Sequence, residues 1–273
     1  METPRHGLRL GTCSWTAKGW EATFYGHDTR PAEYLSAYAR RYTTVEIDAT
    51  FYGTPKRDTV ARWRDQTPEG FVFAVKAPKT VTHEKCLEGC AADMEAYLGT
   101  MALLAGRLGP VLLQFPYFAK ARGVHVQEFL DRLGPFLETL PRGEPRFAVE
   151  VRNKTWLRPA LFDLLRAHGV ALALIDHPWM PRPDALFRHD GVVTADFVYI
   201  RWLGDRKGIE KLTTIWGEPV IDRARDLEEW IPPIKTLLDR KVQVFGYVNN
   251  HYSGHAPHDL ELLLRKLNPS GAV

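Results

Sequence analysis

The sequence predicts an α/β chain folded as a single (β/α)8 barrel across residues 1–273, with one irregular or missing helix after the sixth strand. Three observations carry this. Eight short runs of β-branched and aliphatic residues are each followed by a longer polar-apolar stretch, as parallel strands alternating with helices require. No Gly/Ser/Pro linker or shift in composition divides the chain. The Gly-rich phosphate cradle expected after the first strand of an open dinucleotide-binding sheet is missing, Thr12-Cys13-Ser14-Trp15 standing in its place.

The expected strands are Leu8–Cys13, Thr44–Asp48, Phe71–Lys76, Val111–Phe115, Arg146–Arg152, Val170–Asp176, Phe197–Leu203 and Val242–Asn249. The first helix is expected over Pro31–Arg40, where proline opens the first turn and apolar groups recur at three- and four-residue spacing. The same spacing predicts helices over Asp58–Asp65, Ala91–Arg107, Val126–Leu140, Pro159–His168, Asp222–Asp239 and His258–Leu267. Between the sixth and seventh strands the chain is Pro-rich and poor in helical periodicity, hence the irregular unit there.

Composition narrows the class. With 45% hydrophobic and 25% charged residues, collagen-like, coiled-coil and wholly disordered chains are excluded. Lys plus Arg number 36 against 33 Asp plus Glu, a formal charge of +3 that does not by itself indicate a nucleic-acid partner. The opening residues lack an export signal and no apolar run is long enough for a bilayer, so a cytoplasmic protein with no membrane partner is expected. Three cysteines, Cys13, Cys86 and Cys90, give neither a disulfide framework nor a four-thiolate zinc site.

In a closed barrel the carboxyl ends of the strands converge on one mouth, so polar groups that end apolar strands are the candidate site. They are Glu46 and Asp48 on the second strand, Lys76 on the third, Gln114 on the fourth, Glu150 and Arg152 on the fifth, Asp176 on the sixth, Arg201 on the seventh, and Asn249 and Asn250 on the eighth. Alternation of side chains puts Glu46 with Asp48, and Glu150 with Arg152, on the face opposite their apolar neighbours. Such charges survive only when paired, and an ion network of Lys76, Arg152 and Arg201 with Glu46, Asp48 and Glu150 is the purely structural reading. The functional reading gives acid/base work to Glu46 and Glu150, with Lys76 adjusting the carboxylate it approaches.

The loops after the seventh and eighth strands, Gly204-Asp205-Arg206-Lys207-Gly208 and Asn249-Asn250-His251-Tyr252-Ser253-Gly254-His255, offer cations, amides and a hydroxyl suited to phosphate. No cofactor is predicted. A divalent cation on Glu46, Glu150 and Asp176 is the metal alternative, opposed by Lys76 and Arg152, and no HxH or HExxH pattern supplies nitrogen ligands. Serine chemistry lacks a GxSxG, and a Walker A loop is missing. Aromatic residues crowd the same ends, Tyr52 and Tyr117 among them, which suits stacking against a sugar or base.

Short motifs at these strand ends resemble the YecE-like proteins, domain of unknown function 72: Gly11-Thr12-Cys13-Ser14-Trp15, Thr44 through Tyr52, Phe73 through Pro78, Gly109 through Pro116, Ala148 through Arg152 with Trp156, Val198 through Arg201, and Val248-Asn249-Asn250. The resemblance implies a TIM barrel distantly similar to endonuclease IV and xylose-isomerase-like barrels, no established activity, and a site at Glu46, Lys76, Glu150, Arg152, Arg201 and Asn249. This chain departs from the pattern at Asp48-Ala49, where Asn-Ser is expected, and at Asn153 and Leu203, where histidine is frequent. Losing those nitrogen ligands removes the basis for transferring a zinc mechanism.

The expectation is therefore an enzyme for a small polar, anionic or phosphorylated ligand. Glu46, Glu150 and Lys76 are the catalytic candidates. Asp48, Tyr52, Gln114, Arg152, Asp176, Arg201, Asn249, Asn250 and His251 are the binding candidates. The alternatives are a nucleic-acid-binding, endonuclease IV-like barrel and a non-catalytic scaffold stabilised by an internal ion network.

Overall fold

The computed structural model describes residues 7–119 and 124–268; the opening six residues, part of the basis for the localisation expectation, lie outside them. Eight strands form one sheet: β1 (Leu8–Thr12), β2 (Thr44–Ile47), β3 (Val72–Lys76), β4 (Leu108–Gln114), β5 (Phe147–Glu150), β6 (Ala171–Asp176), β7 (Phe197–Trp202) and β8 (Gln243–Val248). Their order is β1-β8-β7-β6-β5-β4-β3-β2, so the first and last strands are neighbours. An open doubly wound sheet reverses its order near the middle and keeps those strands apart, whereas a (β/α)8 barrel joins them. β1 pairs in parallel with β8 from Leu8↔Val244 to Thr12↔Val248, and β4 with β5 from Val111↔Phe147 to Gln114↔Glu150.

The strands are buried on both faces, which is why they read as continuous apolar runs. Gly11 shows how closely they are dressed: a Cβ there would collide with the carbonyl oxygen of Thr44. The helices are α1 (Tyr34–Ala39), α2 (Arg57–Asp65), α3 (Ala91–Met101), α4 (Val126–Thr139), α5 (Pro159–Ala167), α6 (Pro183–Leu186), α7 (Arg206–Ile209), α8 (Ala224–Glu228), α9 (Ile231–Asp239) and α10 (Ala256–Leu267). After β6 only the four-residue α6 forms, the irregular unit that the Pro-rich segment predicts. None of the described helices is long and apolar enough to cross a membrane.

Four helices differ from expectation, the first of them because Pro31–Glu33 is a 3₁₀ turn and the α-helix starts only at Tyr34. The stretch predicted over Asp222–Asp239 is two helices, α8 and α9, because Pro232 and Pro233 suit the first turn of a new helix and not the interior of an old one. The stretch over Ala91–Arg107 ends its α-helical part at Met101 and continues as a 3₁₀ segment in which Ala105 has a φ of 52°. The last helix starts at Ala256, two residues earlier than expected, with Pro257 in its first turn.

Two compact units make up the chain. One holds the chain up to Glu46, Leu174–Arg188 and Phe197–Val273; the other holds Ile47–Ala173 and His189–Asp196. The candidate site residues are divided between them.

Candidate functional site

In the Ile47–Ala173 unit the centre of charge is Lys76, the last residue of β3, buried at 6% exposure. Its backbone is held on three sides. Its N–H donates to Thr50 Oγ1 at 3.1 Å, and its carbonyl accepts from that same hydroxyl at 2.7 Å and from Tyr97 OH at 3.0 Å. Thr50 can do this because the chain leaves β2 directly into a 3₁₀ turn over Asp48–Phe51. That turn also delivers the two partners of the ammonium: Asp48 Oδ1 at 3.1 Å from Nζ, and the Phe51 ring, whose centroid lies 4.0 Å from it.

Glu150 ends β5 with no exposure and accepts a 2.5 Å hydrogen bond from Arg152 Nε. Gln114 ends β4 opposite Glu150 and donates through Nε2 to the carbonyl of Phe115. His83, from a π-helical turn over Thr80–Glu84, is half-buried, packs edge-on against Phe51 at 4.8 Å and pairs through Nδ1 with Thr82 Oγ1. Burial, with Lys76 and Arg152 nearby, pushes its pKa down to about 4, so at neutral pH the ring is an uncharged imidazole. No strand-end pattern singles out His83. The short Phe51-to-His83 contact is made by two turns, and only the fold brings turns together.

In the other unit Glu46 and Arg201 form an ion pair of 2.7 Å with 0% and 2% side-chain exposure, and Tyr199 donates its hydroxyl to the second carboxylate oxygen at 2.7 Å. Burial and the neighbouring Glu46 carboxylate hold Tyr199 well above its ordinary pKa, so it stays a hydrogen-bond donor. The ion pairs are thus Arg201 with Glu46, Lys76 with Asp48 and Arg152 with Glu150, so the carboxylate that Lys76 approaches is Asp48 and neither Glu46 nor Glu150.

Asp176, at the end of β6, accepts from Trp230 Nε1 at 2.8 Å, Tyr252 OH at 2.9 Å and Arg182 Nη1 at 3.1 Å. Burial raises its pKa against these donors. With its oxygens so occupied, it clasps the loop after β8 and the break between α8 and α9. Asn249 and Asn250 follow β8. Asn249 Oδ1 accepts from the backbone N–H and Nδ1 of His251, whose Nε2 lies 3.2 Å from Glu210. Tyr52, by contrast, is 68% exposed, and an exposed ring on a turn can stack on a ligand.

Among the described residues, no group of three or more His, Cys, Asp and Glu is arranged to hold a metal ion. The carboxylates of Glu46, Glu150 and Asp176 each face an arginine of their own, so a carboxylate set would first have to give up those partners. Asn153, where the resemblance led to an expectation of histidine, forms a two-point clasp with the backbone of Phe118, Oδ1 accepting and Nδ2 donating at 2.9 Å each. A carboxamide has both groups in one plane and makes this clasp, which explains the departure locally.

Fold and site together define a (β/α)8 barrel whose strands end in buried, paired charges. The chain belongs to the family described as protein of unknown function DUF72, whose match runs over residues 9–272. YecE of Escherichia coli K12 is 39% identical over 161 residues, covering 56% of this chain and 57% of that protein, so the match spans little more than half the length of that relative. YunF of Bacillus subtilis strain 168 is 25% identical over 96% of this chain and 95% of its own. A crystal structure of a DUF72 family protein from Thermotoga maritima superposes with a TM-score of 0.77 at 25% identity, covering 96% of this chain and all of that one.

Proposed function

We propose that the chain is an enzyme acting on a small anionic ligand, with the reacting end held beside Lys76. The observation that carries this reading is the buried Lys76 ammonium on a backbone locked by Thr50 and Tyr97. Burying an ammonium costs several kcal/mol, and hydrophobic replacements are often as stable, so a fixed and buried cation suits a role in holding or stabilising negative charge.

The roles follow from access. Glu46 and Glu150 have no exposure, whereas the Asp48 side chain is 34% exposed and touches Lys76. Asp48 is the carboxylate that a ligand reaches, and it takes the acid/base role. Glu150 becomes a positioning residue, fixing the guanidinium of Arg152, which shares in binding the anion. His83 is uncharged at neutral pH and adds a neutral imidazole beside the two cations. Exposed Tyr52 offers a ring to the rest of the ligand.

The test is turnover of a panel of sugar phosphates and 2-keto acids followed by proton NMR. Lys76→Met and Asp48→Asn should each lower turnover by about 100-fold or more, and Lys76→Met, which leaves only the part-exposed Asp48 carboxylate behind, should do so without lowering the melting temperature. Unchanged turnover in both variants would overturn the assignment. A second reading, a non-catalytic scaffold, is favoured by the Glu46 and Arg201 pair, which is sealed and doubly bonded as an internal network would be. It gains if no member of the panel binds.

A further inference from the structure

The geometry points to a second anion-binding site, in a cavity of about 260 Å³ at the carboxyl ends of β1 and β8, for a small phosphate- or carboxylate-bearing molecule with a flat apolar part. It shares no residue with the constellation around Lys76 and does not rest on the function proposed for it. Its working residues are Lys18, Trp20, Trp216, Asn249 and Asn250, with His251 in the wall.

The two asparagines decide the polarity. Asn250 Oδ1 accepts from Trp20 Nε1 at 3.2 Å and from the backbone N–H of Ala256 at 3.0 Å. Asn249 Oδ1 accepts from the backbone N–H of His251 at 2.9 Å. All three partners are donors only, so each carboxamide can sit only with its oxygen toward them. Both NH₂ groups are therefore turned the other way, and among the described residues neither has a hydrogen-bond partner. Two carboxamides fixed as donors on the lining of one cavity call for an acceptor-rich ligand.

Lys18 supplies the charge. It is exposed and makes no ion pair among the described residues; Glu21, the acid within its electrostatic reach, is itself held by the backbone N–H of Gly19 at 2.7 Å. The N-terminus of α10 contributes little, because the Ala256 amide is already capped by Asn250 and the next residue is proline. The anion is thus held by side chains.

The flat apolar part is matched by the Trp216 indole, with Trp20 closing the wall behind it. Trp20 is buried at 1% exposure and pinned by Asn250. Trp216 is half-buried. Its backbone N–H donates to the Lys18 carbonyl at 2.7 Å, its carbonyl accepts from His255 Nδ1 at 2.7 Å, and its ring meets His251 edge-on at 4.8 Å. These contacts fix Lys18 and Trp216, far apart in sequence, on one wall. A ring or sugar face against an indole with an anionic group beside Lys18 fits both halves.

The experiment titrates the protein with phenyl phosphate and with phenol, reading the indole N–H signals by NMR, with Trp216 assigned through Trp216→Phe. Phenyl phosphate should move the Trp216 signal saturably and phenol should not. Lys18→Ala, a change at an exposed position, should weaken the binding about tenfold, and Asn249→Asp, which replaces a donor with a negative oxygen, by at least as much. Lys76→Met should leave this titration unchanged, so the site stands or falls separately from the proposed catalytic centre. A motionless Trp216 signal, equal binding of phenol, an unaffected Lys18→Ala, or loss of the response in Lys76→Met would each overturn the proposal.

Discussion

The carboxylate of Glu46 has no exposure and takes donors from both Arg201 and Tyr199, so its charge is spent inside the fold. Removing that charge while keeping the side-chain shape takes from the buried Arg201 guanidinium the carboxylate 2.7 Å away, which costs about 3 kcal/mol or more. Glu46→Gln should therefore lower the unfolding free energy by about that amount in urea titrations; a loss below about 1 kcal/mol would mean that the pair does not stabilise the fold. Lys76 and Asp48 differ in kind, since their pair opens toward solvent on the carboxylate side. The strand-end residues were legible in the sequence because an ionisable group ending an apolar strand stands out against its neighbours. Which cation meets which carboxylate was not legible, since Lys76 goes to Asp48 and not to Glu46 or Glu150. What each carboxylate then does was not legible, since access to solvent separates Asp48 from Glu46 and Glu150, and access is a property of packing.

Among the elements, α10 carries a titratable group that no motif or strand-end pattern singles out. Asp259, in its first turn, is buried at 1% exposure; Oδ2 accepts from Ser253 Oγ at 2.6 Å, and Oδ1 has no hydrogen-bond partner among the described residues. Burial lifts its pKa to about 7, against the opposing pull of Ser253 and Arg223. In the unfolded chain it titrates near about 4, so the folded state holds the extra proton between those values. Its contribution to stability is present at about pH 4 and is lost as the pH rises through about 7. Asp259→Asn should remove that loss and raise the melting midpoint at pH 8 by about 2 °C or more relative to the parent, with a much smaller difference at pH 4. An equal shift at both values would show that Asp259 is ionised in the fold throughout. The elements themselves were largely readable from periodicity. The failures have local causes: β4 begins at Leu108 and not Val111, because Gly109 and Pro110 read as a turn yet are accommodated beside β3. The break before α9 falls where Pro232 and Pro233 open a new first turn, and Trp230 beside it donates its indole N–H to Asp176.

For the whole molecule, the adjacency of β1 and β8 separates a barrel from an open sheet, and the eight repeated βα units predicted it. The Lys18 and Trp216 wall was invisible at the sequence level because neither residue ends a strand and their link is a single backbone hydrogen bond. On the function proposed, the buried cation at the end of β3 holds an anion. The most direct measurement is an anomalous difference map from crystals soaked in tungstate, a heavy tetrahedral surrogate for phosphate. A peak is expected within hydrogen-bonding reach of Lys76 Nζ, and it should disappear in Lys76→Met. A map with no peak there, with Lys76 still paired to Asp48 as its one counter-ion, would contradict it and leave the charge as part of the scaffold.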